Sequence, residues 1–245
     1  MKDDSIQSVI KDLKNYIALE KESGMNEVML ASIVKNKDIA NVLESNEAVS
    51  FFRKPYTLRD KKSALDRLKD SALECAQCGL CRSRRNVVFG EGALDTELMF
   101  IGEAPGIQED IQGQPFVGKA GVLLSKIIEA IGLKREGVYI ANCLKCRPPQ
   151  NRNPLPSEII ACREFFLKQI EIIGPKVICC LGKFAAQTVL MSEEPISRLR
   201  GRFYELGDIK VMPTFHPAYL LRNPQDKRLV WEDMKKIRDY LKESK

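Results

Sequence analysis

Four short, mainly apolar runs alternate with helix-period stretches between residues 98 and 214, and this alternation restricts the fold more than any other feature. The runs are Leu98–Ile101, Val138–Ala141, Lys176–Leu181 and Lys210–Thr214. Strands of this kind, apolar on successive positions, have to be covered on both faces, as parallel sheets are. The stretches between them, over 121–131, 156–173 and 183–191, carry apolar residues at helical spacing. Together they predict an α/β fold, a central parallel four-stranded sheet flanked by helices. In such sheets the working residues lie on loops at the carboxyl ends of the strands. Those loops begin here at Gly102, Asn142, Gly182 and Phe215.

The chain before this unit differs in character. Residues 1–60 contain one Gly, one Pro and no Cys, and carry a net charge of −1, so the remainder carries +7 and the whole chain +6. Apolar residues recur at helical spacing, with Ile6, Val9, Ile10, Leu13, Tyr16 and Ile17 in one stripe. We expect residues 1–62 to form a helical extension, packed or partner-bound and without an assigned role, and residues 63–245 to form the main domain. A break over Pro55–Lys62 should precede a short helix from Ala64 to Glu74. The basic surplus of the larger part favours a polyanionic partner. No stretch approaches the ~18 apolar residues of a membrane span. The opening residues lack the apolar core of an export signal, so the expected location is intracellular and cytoplasmic.

Eight cysteines in such a chain argue for metal ligation rather than disulfides. Cys75-Ala-Gln-Cys78 puts two thiolates on one tight turn, a geometry shared by tetrahedral zinc and iron–sulfur sites. Cys146 opens a Pro-rich loop after the second strand, and Cys162 lies on the following helix, which can return it towards Cys146. Spacing alone leaves zinc and [4Fe–4S] both open. Cys81 extends the first pair into a ferredoxin-like run and competes for a ligand position. Cys179 and Cys180, inside VICCLG, and Cys143 read as buried apolar residues.

Two loops carry the candidate chemistry. The first strand ends in Gly102-Glu-Ala-Pro-Gly106, with Glu103, Glu109 and Asp110 at its mouth and Gln114-Pro-Phe-Val-Gly-Lys-Ala-Gly121 beyond. Glycines at this density let a backbone approach a ligand closely. A solvated acidic turn would look the same. The last strand ends at His216, the sole histidine, fixed by Pro217. Tyr219-Leu-Leu-Arg222 follows, suited either to wedging Leu220 and Leu221 into a base stack while Arg222 holds phosphate, or to starting a helix with its leucines turned inward.

GEAPGIQED with QPFVGKAG, NCLKCRPPQNRNP and the terminal HPAYLLR, in this order over about residues 70–240, resemble the family-4, iron–sulfur-containing uracil-DNA glycosylases. The resemblance implies a uracil-DNA glycosylase-like fold. It also implies hydrolysis of the N-glycosidic bond of uracil in DNA, leaving an abasic site to be repaired by base excision. By the same resemblance Cys75, Cys78, Cys146 and Cys162 hold a structural [4Fe–4S] cluster, with zinc as the alternative, and Cys81 is a neighbour.

The resemblance further implies that the base is flipped into a pocket, which Gly102, Glu103, Ala104, Phe116, Asn142 and His216 would line. Phe116 would stack on uracil, and Asn142 would pair with its edge through a fixed amide. His216 would donate to O2 as negative charge develops there, assisted by backbone N–H groups of Gly102–Ala104. Glu109 is the first candidate to stabilise the sugar cation or orient water, with Glu103 and Asp110 as substitutes. Other uracil glycosylases place an Asp where Ala104 stands, and a bulky residue excluding thymine's methyl where Gly106 stands. Glu109 would fill that second space.

Two readings from other classes compete: a non-catalytic iron–sulfur module that binds damaged DNA, and a redox protein. A product-trapping variant is disfavoured, because its His-bearing, Arg-rich insertion is missing between Lys145 and Asn153.

Overall fold

The structure is a computed structural model that describes residues 56–244. The expected helical extension over 1–62 therefore lies mostly outside the described residues. Helix α1 spans Leu58–Leu73 and begins six residues earlier than expected. The reason is a capping box. Thr57 Oγ1 accepts from the Asp60 backbone N–H, and the Asp60 carboxylate accepts from the Thr57 N–H. The expected boundary at 62/63 falls inside this continuous helix.

Among the described residues six strands form one sheet: β1 (Glu91–Gly92), β2 (Leu98–Gly102), β3 (Tyr139–Asn142), β4 (Val177–Leu181), β5 (Tyr204–Leu206) and β6 (Ile209–Thr214), in the order β1-β3-β2-β4-β6-β5. The four inner strands are those expected, and all pair in parallel. Two short antiparallel edge strands, β1 and β5, are additions. Each has too few residues to show an apolar pattern.

The inner strands are buried on both faces. Met99, Ile101, Ile178 and Cys180 point into one core with α1 and α4 (Pro156–Ile173), while Leu98, Phe100, Val177 and Cys179 point into the other. That second core is covered by α3 (Lys119–Ala130) and α8 (Lys227–Glu243). Cys179 and Cys180 are thus apolar core residues, and Cys143 is buried too. Helix α4 has the bounds expected, set by Pro156 in its first turn and the left-handed cap at Gly174. Helix α8 was not expected. Its buried Val230, Met234, Ile237 and Leu241 follow helical spacing among many charges.

The chain leaves β2 towards β3 and returns past it to β4. The connections therefore part between β2 and β4, where a crevice opens at the carboxyl ends of the strands. The remaining helices are α2 (Ile107–Gln112), α5 (Lys183–Leu190), α6 (Ile196–Leu199) and α7 (Pro217–Arg222). None of the described helices is long and apolar enough to cross a membrane.

Candidate active site

A cleft of about 440 Å³ opens at this point of the sheet, within the size range of small-ligand sites. Three strand ends furnish it. The loop after β2 contributes Glu103, Ala104 and Gly106, the end of β3 contributes Asn142, and the step from β6 into α7 contributes His216.

Gly102 and Asn142 are register partners across the parallel pair. A Cβ on Gly102 would lie 2.3 Å from Asn142 Oδ1 and 2.5 Å from the Phe116 ring, so only glycine lets both side chains reach the cleft floor. Phe116 itself has φ +53°, an unfavourable backbone for a residue with a bulky side chain. Its ring lies 5.6 Å from that of His216, tilted by 32°. Strain of this kind persists where the surroundings hold it. Here Glu109 does the holding, its Oε1 accepting from the Val117 and Gly118 N–H groups at 3.1 Å each. The other oxygen, Oε2, lies 2.7 Å from where a Cβ on Gly106 would stand. Glu109 thus occupies the space beside Gly106.

Asn142 Oδ1 is the one buried side-chain polar atom among the described residues with no hydrogen-bond partner. Such a group is costly to leave unpaired, and at the floor of a cleft it marks a place for a ligand donor. His216 caps α7, its Nδ1 accepting from the Ala218 N–H at 3.1 Å. An accepting Nδ1 places the ring proton on Nε2. Burial, and then the Arg222 guanidinium, lower the imidazole to about 4. His216 is therefore a neutral donor at pH 7. Burial also raises the Glu103 carboxyl to about 7.

Asp110 does not belong with these groups. It is buried on α2 and accepts from the Arg85 N–H at 2.9 Å, and Asn86 Nδ2 donates to its carbonyl at 2.8 Å, so it pins the preceding loop and does not line the cleft. Leu220 needs a similar correction. It is fully buried in the core beneath α7, leaving Leu221, 45% exposed, as the leucine that faces solvent. Arg222 and Tyr219 line the cleft beside it. Pro148, Asn151 and Arg152, which the sequence reading does not assign to the site, line the cleft as well. Their signal was the CRPPQNRNP run, in which Gln150 and Asn151 both take φ near +55°.

A second cavity brings Cys75, Cys78, Cys146 and Cys162 together from the end of α1, the loop after β3 and the body of α4. Cys81 lines it too, and every thiol is free. Two N–H groups point at sulfur. Arg84 Nη1 donates to Cys146 Sγ at 3.2 Å and the Lys145 backbone N–H to Cys162 Sγ at 3.3 Å. Donors aimed at sulfur suit thiolates rather than thiols, so the donor set fits a thiolate-ligated metal group. Burial pushes the Cys162 thiol up to about 11 despite the neighbouring Lys145 ammonium, a penalty that a metal ion reverses. Among the described residues, no three His, Cys, Asp or Glu side chains draw together at the spacing of a single metal ion.

Residues 89–235 match the family profile of the Uracil DNA glycosylase superfamily. The chain is 45% identical over 186 residues to a type-4 uracil-DNA glycosylase of Thermotoga maritima, covering 74% of this chain and 97% of that protein. It belongs to the type-4 uracil-DNA glycosylases. The same family name is carried by relatives from Archaeoglobus fulgidus, 43% identical over 71% of this chain and 92% of that one, and from Saccharolobus solfataricus, 45% identical over 72% and 86%. All three matches span most of the relative's length, so the resemblance carried by GEAPG, NCLKC and HPAYLLR extends across the domain.

Within this family setting, Glu109 has a testable duty. Glu109→Ala should leave the Val117 and Gly118 N–H groups without their charged acceptor and free the Phe116 loop. We expect kcat/KM for uracil excision to fall roughly ten- to a hundredfold, the scale of losing charge-assisted hydrogen bonds. Glu109→Gln, which keeps one acceptor oxygen, should recover part of the loss. Equal loss in both variants would point instead to the negative charge.

Proposed function

We propose that this chain hydrolyses the N-glycosidic bond between uracil and deoxyribose in DNA, releasing free uracil and leaving an abasic site for base excision repair. The unpartnered Oδ1 of Asn142, at the foot of a cleft between Phe116 and His216, carries the reading. Uracil presents an N3–H donor beside an O4 acceptor. An Asn amide offers the complementary acceptor and donor together, whereas cytosine reverses both. A nucleotide flipped from the duplex brings its base to this edge, with Phe116 as the apolar face beneath it.

Cleavage proceeds through an oxocarbenium-like sugar and a departing uracil anion. Neutral His216 donates from Nε2 to O2 as charge accumulates there, and the backbone N–H groups of the Gly102–Ala104 turn add to the same field. Glu109 lines the cleft and would meet the reacting groups with Oε2, since Oε1 is held by the backbone. Glu103 lines the cleft as a second acid, and Asp110 drops out of the assignment. Leu221 enters the gap left by the flipped base, and Arg222 holds phosphate nearby.

Cys75, Cys78, Cys146 and Cys162 would hold a [4Fe–4S] cluster, which fastens the end of α1 and the loop after β3 to α4. Zinc is the other metal this donor set accepts. Free thiols in this number suit a reducing compartment, and we place the enzyme in the cytoplasm. The amphipathic stripes before residue 56 suggest a protein partner for that segment, which lies outside the described residues.

The test is strand scission after alkali on a uracil-containing oligonucleotide, beside its thymine twin. Cleavage at uracil only is expected. Tight DNA binding without cleavage by the folded, iron-loaded chain would overturn the reading in favour of a non-catalytic damage-binding module.

A further inference from the structure

We propose that Lys145 is a positioning residue for base recognition, its buried ammonium pinning the backbone at Asn142 and tying the base-reading strand end to the thiol-lined cavity. The proposal rests on Asn142 being the residue that reads uracil.

Lys145 is only 1% exposed. Its Nζ donates to the Asn142 carbonyl at 2.6 Å and to Gln169 Oε1 at 2.6 Å. Gln169, also fully buried, turns its amide N–H groups to the Phe89 carbonyl at 2.9 Å and the Tyr139 hydroxyl at 3.1 Å. Both partners of the ammonium are uncharged. A buried charge without a close counter-ion is expensive, and an apolar side chain of equal length would fill the same space without the cost. The useful property of lysine here is therefore its donors.

Their anionic complement lies on the other side. The backbone N–H of Lys145 donates to Cys162 Sγ, and Cys146 is the next residue. With a metal group bound, thiolates at these two positions would supply the negative charge that the ammonium otherwise lacks.

The pinned carbonyl belongs to a residue whose side-chain oxygen nothing else holds. Beyond β3 the chain stays in register with the β2 loop, the Cys143 and Leu144 N–H groups donating to the Gly102 and Glu103 carbonyls at 3.0 Å each. Lys145 then folds back onto the carbonyl three residues earlier and closes this turn. With no side-chain partner on Oδ1, the attitude of the Asn142 amide follows the attitude of its backbone. A perturbation at the thiol cavity is thereby transmitted to the base edge through one side chain.

The test uses the full-length, metal-loaded chain and the variants Lys145→Met and Gln169→Leu. Inhibition by free uracil, kcat, iron content with visible absorbance, melting temperature and affinity for DNA bearing a stable abasic-site analogue are compared. In Lys145→Met we expect uracil inhibition and kcat to weaken roughly ten- to a hundredfold, the scale of a hydrogen bond from a charged group. Iron content, melting and abasic-DNA affinity should hold. Unchanged uracil inhibition, or a joint fall of all five readouts, would overturn the proposal; the joint fall would mark a general structural role. Should Lys145→Met fail to fold, Gln169→Leu decides on the same readouts, because it removes an acceptor of the same ammonium without touching the thiol loop. Unchanged uracil inhibition there overturns the proposal as well. A parent chain that neither excises uracil nor is inhibited by it would overturn the function itself.

Discussion

Asn142→Ala is expected to lower kcat/KM for uracil excision by about 10²–10³-fold while leaving melting temperature and affinity for abasic DNA close to those of the parent. The size follows from what the side chain does. A site built to hydrogen-bond a substrate loses much when that bond is absent, since the substrate's own buried polar groups are then left unpaired. The selectivity of the effect follows from where the side chain sits. Oδ1 makes no hydrogen bond within the protein, so its removal breaks nothing that holds the fold. Asn142→Asp sharpens the test, because it keeps shape and size but turns the amide donor into an acceptor. It should excise uracil as poorly as Asn142→Ala. Steady-state kinetics on a uracil oligonucleotide, with thermal melts alongside, read both variants. A fall in melting temperature that parallels the fall in rate would show Asn142 to be structural and remove it from base reading.

The same residue shows what the sequence makes legible. Asn142 stands at the end of an apolar run, and strand ends are where α/β sheets place their chemistry. The inner strands were readable because burial on both faces makes Leu98–Ile101 and Val177–Leu181 apolar at every position. Helix α4 was readable because a proline and a left-handed glycine mark its ends.

The misses have local causes. The start of α1 turned on a reciprocal pair of hydrogen bonds between Thr57 and Asp60, easily taken for a polar break after Pro55. Helix α8 presents a narrow apolar stripe within a strongly charged run. Leu220 and Leu221 are adjacent on a six-residue helix, and its phase, which sequence does not reveal, decides which is buried. Asp110 looked like its neighbour Glu109, yet one turns to the Arg85 backbone and the other to the Phe116 loop. Lys145 gave no signal, since a lysine among cysteines in a polar loop reads as solvated. Its burial follows from β3 and α4 closing over it.

His216→Ala should cost about 10²–10³-fold in kcat with little change in KM. A donor aimed at charge that appears only in the transition state lowers the barrier without tightening ground-state binding. Its pH behaviour separates this role from that of a charged histidine. Burial, reinforced by Arg222, depresses the imidazole from 6.5 to about 4. Protonation is thus disfavoured in the folded protein, and the ring gains its second proton only as pH falls to about 4. Through pH 5 to 8 the ring stays neutral with its proton on Nε2, so the ratio of parent to His216→Ala rates should be flat across that interval. An imidazole working as a cation would make the ratio rise as pH falls through the mid-sixes, and that outcome would sink the assignment. Glu103 supplies the contrast. Burial raises its carboxyl to about 7, so it loses its proton on rising through neutrality. A limb near pH 7 in the parent's own profile should therefore persist in His216→Ala and vanish in Glu103→Gln. A limb that vanished in His216→Ala instead would transfer the titration to the imidazole and reverse the roles of the two residues.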